Sequence, residues 1–594
     1  LRSATASEFL DYVTKRYEDK IPAYRAAYPD WWTDGFGSAA RETAASRKTH
    51  SDMTAVEGLL SMAVLKDKCL PQTTHQRIEH IHESLLFYDE HTFGASESVS
   101  DPLCENSQVQ WGEKSAYAWE AVKRTQMLYE TSVGLLQGDL RRGKNPTLTI
   151  FNTLNWKRSE MLTVYIDFEV IPRNQFFEIT DFQGHSLKVQ PIRYRREGCY
   201  YAIFAEDIPP MGYKTFEIVF KQPSTDTGTI TINNASIENH FYKLQLNPDK
   251  GTIQSLYDKE LNCELVDSSS PWELGAFIYE KLGNRDQLAQ YRLDDYNRTG
   301  LSECRIIDSS NGPIYQRILL QGKSPGTDEA FGVNLEIKLY HDTKRIELEY
   351  AIKRLPETDP SGIYVAFPFQ LPEGKLAFDV QGGTVISGKN QLEGTSTDWN
   401  TVQNFVSVQN NQAQIIIGSS LIPLYQLGDI NLGKFQYQKQ YERPHVYSWV
   451  MNNYWNTNFK ASQEGEFRWS YHLTSSVDPS SNLATKFGWS SRIPLYARVM
   501  PTGTENHKPT EYSAFHFEKD NFLMTSCTPS KEEGYILLNI REIDGKRTNL
   551  RILNEDGQTI PFTIVNAIEE KLENETSEHI FEGYQNKFIK IKRF

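Results

Sequence analysis

The spacing of apolar residues divides the chain into a helical first part and a β-rich remainder. Before about residue 145, apolar side chains recur every three to four positions, as they do along one face of a helix. The first predicted helix begins at a capping box formed by Thr5 and Glu8 and ends before Pro22. Further helices are predicted over 39–66, 73–86 and 113–136. Long helices joined by short loops indicate a helical bundle.

Beyond residue 146 apolar and polar residues alternate, which is the pattern of half-buried strands. The region from 229 to about 500 is almost wholly of this kind, with glycine and asparagine turns between strands, as in large antiparallel sandwiches. A polar run at 221–228 reads as a linker. The predicted divisions are a helical region (1–145), a small β-sandwich (146–225), a large β-sandwich (229–508) and a C-terminal β domain (511–594).

Composition excludes several classes of function. The formal net charge of -14 disfavours nucleic acid and anionic membranes as partners, since both need a basic surface. No run of about 18 apolar residues is present to span a bilayer. The six cysteines form no CxxC pair, so neither a zinc ribbon nor a dense disulfide framework is indicated. The sequence also lacks the P-loop, GxGxxG, HExxH and GxSxG motifs.

Two segments carry candidate chemistry. In the stretch PDWWTDGFGS (29–38), two adjacent tryptophans lie beside two aspartates, which suits sugar binding because flat rings cover C–H groups and carboxylates accept hydroxyl hydrogen bonds. A loop pinned by buried tryptophans is the alternative. In DEHTFGA (89–95), a histidine flanked by carboxylates is typical of metal sites or acid–base chemistry. A solvated loop histidine is the alternative there.

With four further stretches, these segments resemble the C-terminal part of a glycoside hydrolase family 38 α-mannosidase. The order and spacing of all six stretches carry the resemblance, which runs over nearly the whole chain. They are WWTDGFGS (31–38), DEHTFGA (89–95), NTLNWKR (152–158), IQSLYDK (253–259), AFPF (366–369) and NNYWNTNF (452–459).

The resemblance implies a layout of an α/β catalytic domain, a helical bundle and β-sandwich domains. Residues 1–145 would then be the end of the catalytic domain and the bundle. The expected fold is α+β and mainly β, with an N-terminal helical bundle followed by large antiparallel β-sandwich domains of the galactose-mutarotase-like supersandwich type. The implied activity is that of a zinc-dependent retaining exo-α-mannosidase acting on α-mannosidic bonds in glycans. In such enzymes one carboxylate is the nucleophile and another is the acid/base.

The same resemblance assigns site residues. His91 is similar to the last zinc ligand, and Asp89 and Glu90 would orient it or a sugar hydroxyl. The substrate-binding residues are expected to be Trp32, Asp34, Asp89, Glu90, Asn453 and Trp455. The nucleophile, the acid/base and the other ligands of the single zinc ion are expected upstream of Leu1, so the chain alone is expected to be inactive.

One departure keeps alternatives open. Relatives commonly carry Gly-Asp-Trp before Pro-Asp-Trp-Trp, and here Ala26, Ala27 and Tyr28 stand there. A non-catalytic carbohydrate-binding or structural β-sandwich protein derived from such an enzyme is therefore the alternative function, and a glycosidase for another α-linked sugar is a third. A homo-oligomer is one option for assembly. The compartment is undetermined, with export favoured over the cytoplasm.

Overall fold

The computed structural model describes residues 2–222 and 235–594. Its helices there are α1 (Ala6–Tyr17), α2 (Ala40–Leu65), α3 (Thr74–Asp89), α4 (Glu105–Leu136), α5 (Asp286–Ala289) and α6 (Ser481–Arg492). The first strands are β1 (Thr147–Asn152), β2 (Arg158–Asp167), β3 (Phe176–Thr180), β4 (Lys188–Tyr194), β5 (Gly198–Ile208) and β6 (Gly212–Lys221).

The largest group of strands lies between residues 236 and 476. They are β7 (Ser236–Glu238), β8 (Tyr242–Asn247), β9 (Thr252–Asp258), β10 (Cys263–Glu264), β11 (Ala276–Leu282), β12 (Tyr296–Thr299), β13 (Ser302–Asn311), β14 (Tyr315–Lys323), β15 (Val333–Tyr340), β16 (Ile346–Arg354), β17 (Ser361–Phe367), β18 (Lys375–Val380), β19 (Gly383–Ile386), β20 (Asn400–Thr401), β21 (Val406–Gln409), β22 (Gln414–Gly418), β23 (Leu424–Leu427), β24 (Val446–Asn452) and β25 (Gly465–Ser476).

The last strands follow α6. They are β26 (Tyr496–Met500), β27 (Glu511–Ser513), β28 (His516–Phe517), β29 (Phe522–Pro529), β30 (Tyr535–Glu542), β31 (Thr548–Leu550), β32 (Ile552–Leu553), β33 (Thr563–Val565), β34 (His579–Phe581) and β35 (Asn586–Lys592).

The helical part agrees with its sequence pattern except at one boundary. The capping box of α1 is confirmed, since Thr5 N donates to a Glu8 carboxylate oxygen at 2.9 Å and Thr5 Oγ1 accepts from Glu8 N at 3.2 Å. The prediction that the fourth helix begins at residue 113 is wrong, because α4 begins at Glu105. Its first two turns are polar and mostly exposed, so no apolar stripe marks them in the sequence.

A large antiparallel sandwich occupies the middle of the chain. One sheet has nine strands in the order β13-β14-β15-β16-β25-β22-β21-β18-β19, and another has six in the order β12-β11-β17-β24-β23-β20. Buried apolar side chains of both sheets form one cluster, in which Tyr350 stacks on Trp469 and Phe367 meets Tyr471 edge-on. The shared core identifies the two sheets as the layers of a sandwich.

Smaller sheets flank this sandwich. Strand β1 lies between β26 and β6, so the chain returns after residue 495 to complete the sheet that begins at residue 147. The C-terminal sheet has the order β29-β30-β35-β33, and its core is shared with α2 and α4. Helix α6 interrupts the section predicted as almost wholly β, and Ser480 caps it by accepting from Leu483 N at 3.3 Å.

The predicted fold class is therefore confirmed as mainly β, with N-terminal helices followed by antiparallel sheets. The divisions at 145, 225, 229, 508 and 511 stay predictions, and the predicted linker lies largely outside the described residues. None of the helices in the described part of the chain is both long and apolar enough to cross a bilayer.

Candidate functional site

The tryptophan-rich segment is folded into a short 3₁₀ helix, Thr33–Ala39, that leads directly into α2. Asp30 stabilises the start of this 3₁₀ helix. Its carboxylate accepts a hydrogen bond from Trp32 N at 3.2 Å, and its carbonyl accepts one from Thr33 Oγ1 at 3.2 Å. A glycine is required at Gly35, where an added Cβ would lie 2.1 Å from the ring of Phe459. The segment and the loop after β24 therefore pack in direct contact.

The two tryptophans of this segment face different surroundings. Trp31 meets Trp399 edge-on, with ring centroids 5.6 Å apart, and packs against a core cluster of the large sandwich. Trp32 is 45% exposed. Its ring lies 5.3 Å from His91 and 5.4 Å from Trp455, centroid to centroid. The structure thus brings together three of the predicted site residues, while Trp31 belongs to the core.

Asp34 lies beneath this aromatic group and is only 6% exposed. It accepts a hydrogen bond from Trp455 Nε1 at 2.9 Å, and its backbone carbonyl accepts one from Asn452 Nδ2 at 2.9 Å. Burial raises the pKa of the Asp34 carboxyl to about 7, although the hydrogen bond from Trp455 opposes the rise. A carboxyl with this pKa exchanges its proton near neutral pH.

Glu90 holds His91 in place. Its carboxylate lies 2.8 Å from His91 Nδ1 and accepts from Thr92 N and Thr92 Oγ1 at 2.9 and 2.8 Å. Lys114 extends from α4 and donates to the carbonyls of Phe87 and Glu90 at 2.8 and 2.6 Å. Partial burial opposes ionisation, but the Thr92 hydrogen bonds and the Lys114 charge lower the pKa of Glu90 overall. A charged Glu90 fixes His91 Nδ1 as the donor, which leaves Nε2 to face outward.

Asp89 is directed away from His91. Its two carboxylate oxygens are taken by Ser46 Oγ at 2.9 Å and His50 Nε2 at 2.7 Å, both on α2. Asp89 therefore fastens the end of α3 to α2, whereas the neighbouring Glu90 holds the histidine. Its predicted contact with substrate stays a prediction.

Asn453 is buried and fully engaged by the backbone around it. Its amide nitrogen is within hydrogen-bond distance of the carbonyls of Glu357, Asp359 and Ala461, and its Oδ1 accepts from Ser361 N at 2.7 Å. This network fixes the loop that presents Trp455. The role of Asn453 in substrate binding also stays a prediction.

Gln463 is a positioning residue that the sequence patterns did not indicate. Its Oε1 accepts from Ala40 N at 2.9 Å, and its Nε2 donates to Gly37 O at 2.6 Å. It therefore joins the loop between β24 and β25 to the beginning of α2. A lone glutamine before a glycine turn gives no signal of such a role in sequence.

The segment with Ala26 and Ala27, where relatives commonly carry Gly-Asp, is bonded to the large sandwich. Ala27 N donates to Asn390 O and Ala27 O accepts from Leu392 N, both at 2.8 Å, which pins the segment to the large sandwich. The Ala27 side chain is partly buried against the sandwich core. An aspartate at this position would place its carboxylate next to apolar groups.

His91 can supply one ligand to a metal ion. Its Nδ1 is held by Glu90, so Nε2 is the nitrogen suited to coordination, and a carboxylate behind a histidine is a common arrangement in metal sites. Within residues 2–222 and 235–594, no three His, Cys, Asp or Glu side chains come together as a metal-binding group. His91 is therefore a single candidate ligand, and the predicted zinc site stays a prediction.

Comparisons with known proteins support the resemblance seen in the sequence. The family model described as alpha mannosidase middle domain matches residues 30–136, and the one described as glycosyl hydrolases family 38 C-terminal domain matches residues 237–435. These two matches confirm the family suggested by the six sequence stretches, and together they span about half of the chain. A comparison with curated proteins found no match.

Two solved structures share the fold over nearly the whole chain. An α-mannosidase from Enterococcus faecalis V583 is similar over 99% of this chain and 72% of its own length, with a TM-score of 0.74 and 12% identity. A glycosyl hydrolase family 38 protein from Enterococcus faecalis is similar over 99% of this chain and 74% of its own, with a TM-score of 0.74 and 13% identity. At these identities the likeness shows the fold alone.

Proposed function

Because this chain belongs to glycoside hydrolase family 38, we propose that it forms the middle and C-terminal part of a zinc-dependent, retaining exo-α-mannosidase. The substrate would be a glycan or another mannoside with a terminal α-linked mannose. The observation that carries the proposal is the meeting of Trp32, His91 and Trp455 above the buried carboxyl of Asp34.

The chain's own residues would bind and orient one sugar. The exposed face of Trp32 and the ring of Trp455 offer flat apolar surface to sugar C–H groups. Asp34 lies close enough to bond to Trp455 Nε1, and its pKa of about 7 lets it carry a proton at neutral pH. In this proposal Asp34 provides a polar, titratable group beneath the rings of Trp32 and Trp455.

His91 Nε2 would hold the metal, and Glu90 would keep the imidazole in the required tautomer. Zinc, when bound, supplies positive charge that attracts sugar hydroxyl oxygens. A zinc site needs about three protein ligands, so groups beyond His91 have to complete it. We assign neither the nucleophile nor the acid/base to a residue of this chain, and we propose that the chain alone does not hydrolyse mannosides.

Hydrolysis of an aryl α-mannoside tests the proposal. The assay compares this chain with the product of its whole reading frame, each with added zinc and with chelator. Activity only in the longer, zinc-loaded protein is the expected result. Turnover by this chain alone would contradict the assignment of the catalytic carboxylates elsewhere, and chelator-resistant turnover would contradict the zinc dependence.

The packing of Ala27 supports a second candidate, a carbohydrate-binding protein without catalytic activity. The carboxylate that relatives commonly carry at this position is replaced by a methyl group packed against apolar core. This candidate would be favoured if the whole gene product bound mannose measurably but hydrolysed none of several aryl α-glycosides. Activity toward a different α-glycoside would instead assign another sugar specificity.

A further inference from the structure

A large cavity is lined in part by the segment that carries Trp32 and Asp34. Its volume is about 1370 Å³, and its walls come from four separate parts of the chain, namely 25–36, 378–409, 479–481 and 582–585. Sites for single small molecules usually measure about 300–1,000 Å³. The cavity, called here the Tyr28–Tyr584 groove after two exposed rings that line it, therefore has room for a ligand larger than one sugar.

Tyr584 is held on one wall in an uncommon backbone conformation. Its φ angle is 60°, and its side chain is nevertheless 50% exposed. The buried carboxylate of Glu542 fixes the turn by accepting from Tyr584 N at 2.9 Å and from Gly545 N at 2.8 Å. The ring covers Gly545 so closely that an added Cβ there would lie 2.7 Å from it. The turn therefore holds the ring at the surface, where a ligand can contact it.

The backbone next to Tyr28, which also lines the groove, is held by hydrogen bonds as well. Tyr28, 63% exposed, follows Ala27, whose backbone is bonded on both sides to the loop at 390–392. The groove is thus lined by one ring whose own backbone nitrogen is bonded, Tyr584, and by one ring that directly follows a bonded residue, Tyr28. Such a groove loses little conformational freedom when a ligand enters it.

The lining combines apolar and polar side chains, and its charges are balanced. Its charged residues are two basic and two acidic, namely Arg25, Lys389, Asp30 and Glu582, and amide side chains such as Gln381 and Gln585 lie between them. Balanced charge gives no preference for an anion or a cation. Amides that donate and accept hydrogen bonds, beside flat exposed rings, match the hydroxyls and C–H faces of a neutral sugar chain.

We propose that the Tyr28–Tyr584 groove binds an oligosaccharide of neutral hexoses, namely the part of the glycan that lies beyond the sugar held at Trp32. This inference rests on the proposed function for the identity of the glycan. The two sites adjoin each other, because Asp30, Thr33 and Phe36 line the groove and belong to the segment that carries Trp32 and Asp34. The groove would make the protein select extended α-mannosides over single ones.

Binding of an α-linked mannotetraose to this chain, measured by titration calorimetry, tests the proposal. Tyr584→Asn removes the ring and keeps a residue that tolerates positive φ, so the turn should persist. We expect the dissociation constant to rise about tenfold. The matched control is Tyr194→Asn, since Tyr194 is 60% exposed, lies on β4 and does not line the groove. Its affinity should equal that of the parent chain.

Equal affinities of the Tyr584→Asn variant and the parent chain would overturn the proposal, as would the absence of binding by the parent at millimolar sugar. Tyr584→Phe, which keeps the ring, provides a second variant and should bind like the parent. Failure of the proposed function gives a different pattern. In that case the whole gene product fails to cleave aryl mannosides, while the tetraose still binds to the groove and Tyr584→Asn still weakens it.

Discussion

Asp34→Asn should change how the stability of this protein depends on pH. Burial of Asp34 raises its pKa from 3.8 to about 7 in the folded state. The folded protein therefore keeps a proton that the unfolded chain releases between about pH 4 and pH 7. Its contribution to stability is fully present below pH 4 and is lost as the pH rises to 7. Because the pKa of Asp34 rises from 3.8 to about 7, this loss of stability amounts to roughly 4 kcal/mol, at 1.36 kcal/mol for each pH unit.

The asparagine variant removes this titration with little change in shape. Its amide oxygen can still accept from Trp455 Nε1, which donates to the Asp34 carboxylate at 2.9 Å in the parent. The free energy of unfolding of the variant, relative to the parent, should therefore increase by about 1.4 kcal/mol for each pH unit between 4 and 7. Above pH 7 the difference should become constant.

Urea unfolding at pH 5, 6, 7 and 8, followed by tryptophan fluorescence, measures this difference. The buried carboxyls Asp379 and Asp398, whose pKa values are also raised, are present in both proteins and cancel in the comparison. Asp207→Asn, at an exposed carboxylate, serves as the control and should show no such trend. A difference between Asp34→Asn and the parent that is independent of pH would refute the raised pKa of Asp34.

Three further outcomes follow from the packing and charges. Gly35→Ala should lower the free energy of unfolding by about 1–3 kcal/mol, because its methyl group would overlap the ring of Phe459. Gly134→Ala, which has open space on α4, should raise it by about 0.5–1 kcal/mol. Equal midpoints of the two variants in thermal unfolding would contradict this. Glu280→Gln should lower the free energy of unfolding in urea by about 3–5 kcal/mol, because it removes the buried counter-charge of the largely buried guanidinium of Arg298. A loss below about 1 kcal/mol would show the pair to be dispensable. In the whole gene product, His91→Ala should lower zinc content measured by mass spectrometry, and an unchanged metal content would remove His91 from the proposed zinc site.

Local patterns in the sequence determined the kinds of element in this protein. Thr5 and Glu8 form their capping box because both partners lie within one helical turn. The alternation beyond residue 146 predicts strands because side chains in a strand point to opposite faces, and in β2 the apolar Leu162, Val164 and Ile166 are buried while the residues between them are exposed. The segments around Trp32 and His91 could be recognised as candidate chemistry for the same reason, since each motif is contiguous in the chain.

The tertiary structure alone decided which of these segments meet and what each side chain does there. Trp455 and Asp34 are 421 positions apart and become partners only because the loop after β24 closes over the start of α2. Adjacent residues are also separated, since Glu90 holds His91 while Asp89 is bonded to α2. Capping and periodicity act within one turn or one strand, whereas these contacts depend on how helices and sheets exclude water from a shared core. No local pattern of residues specifies that closure.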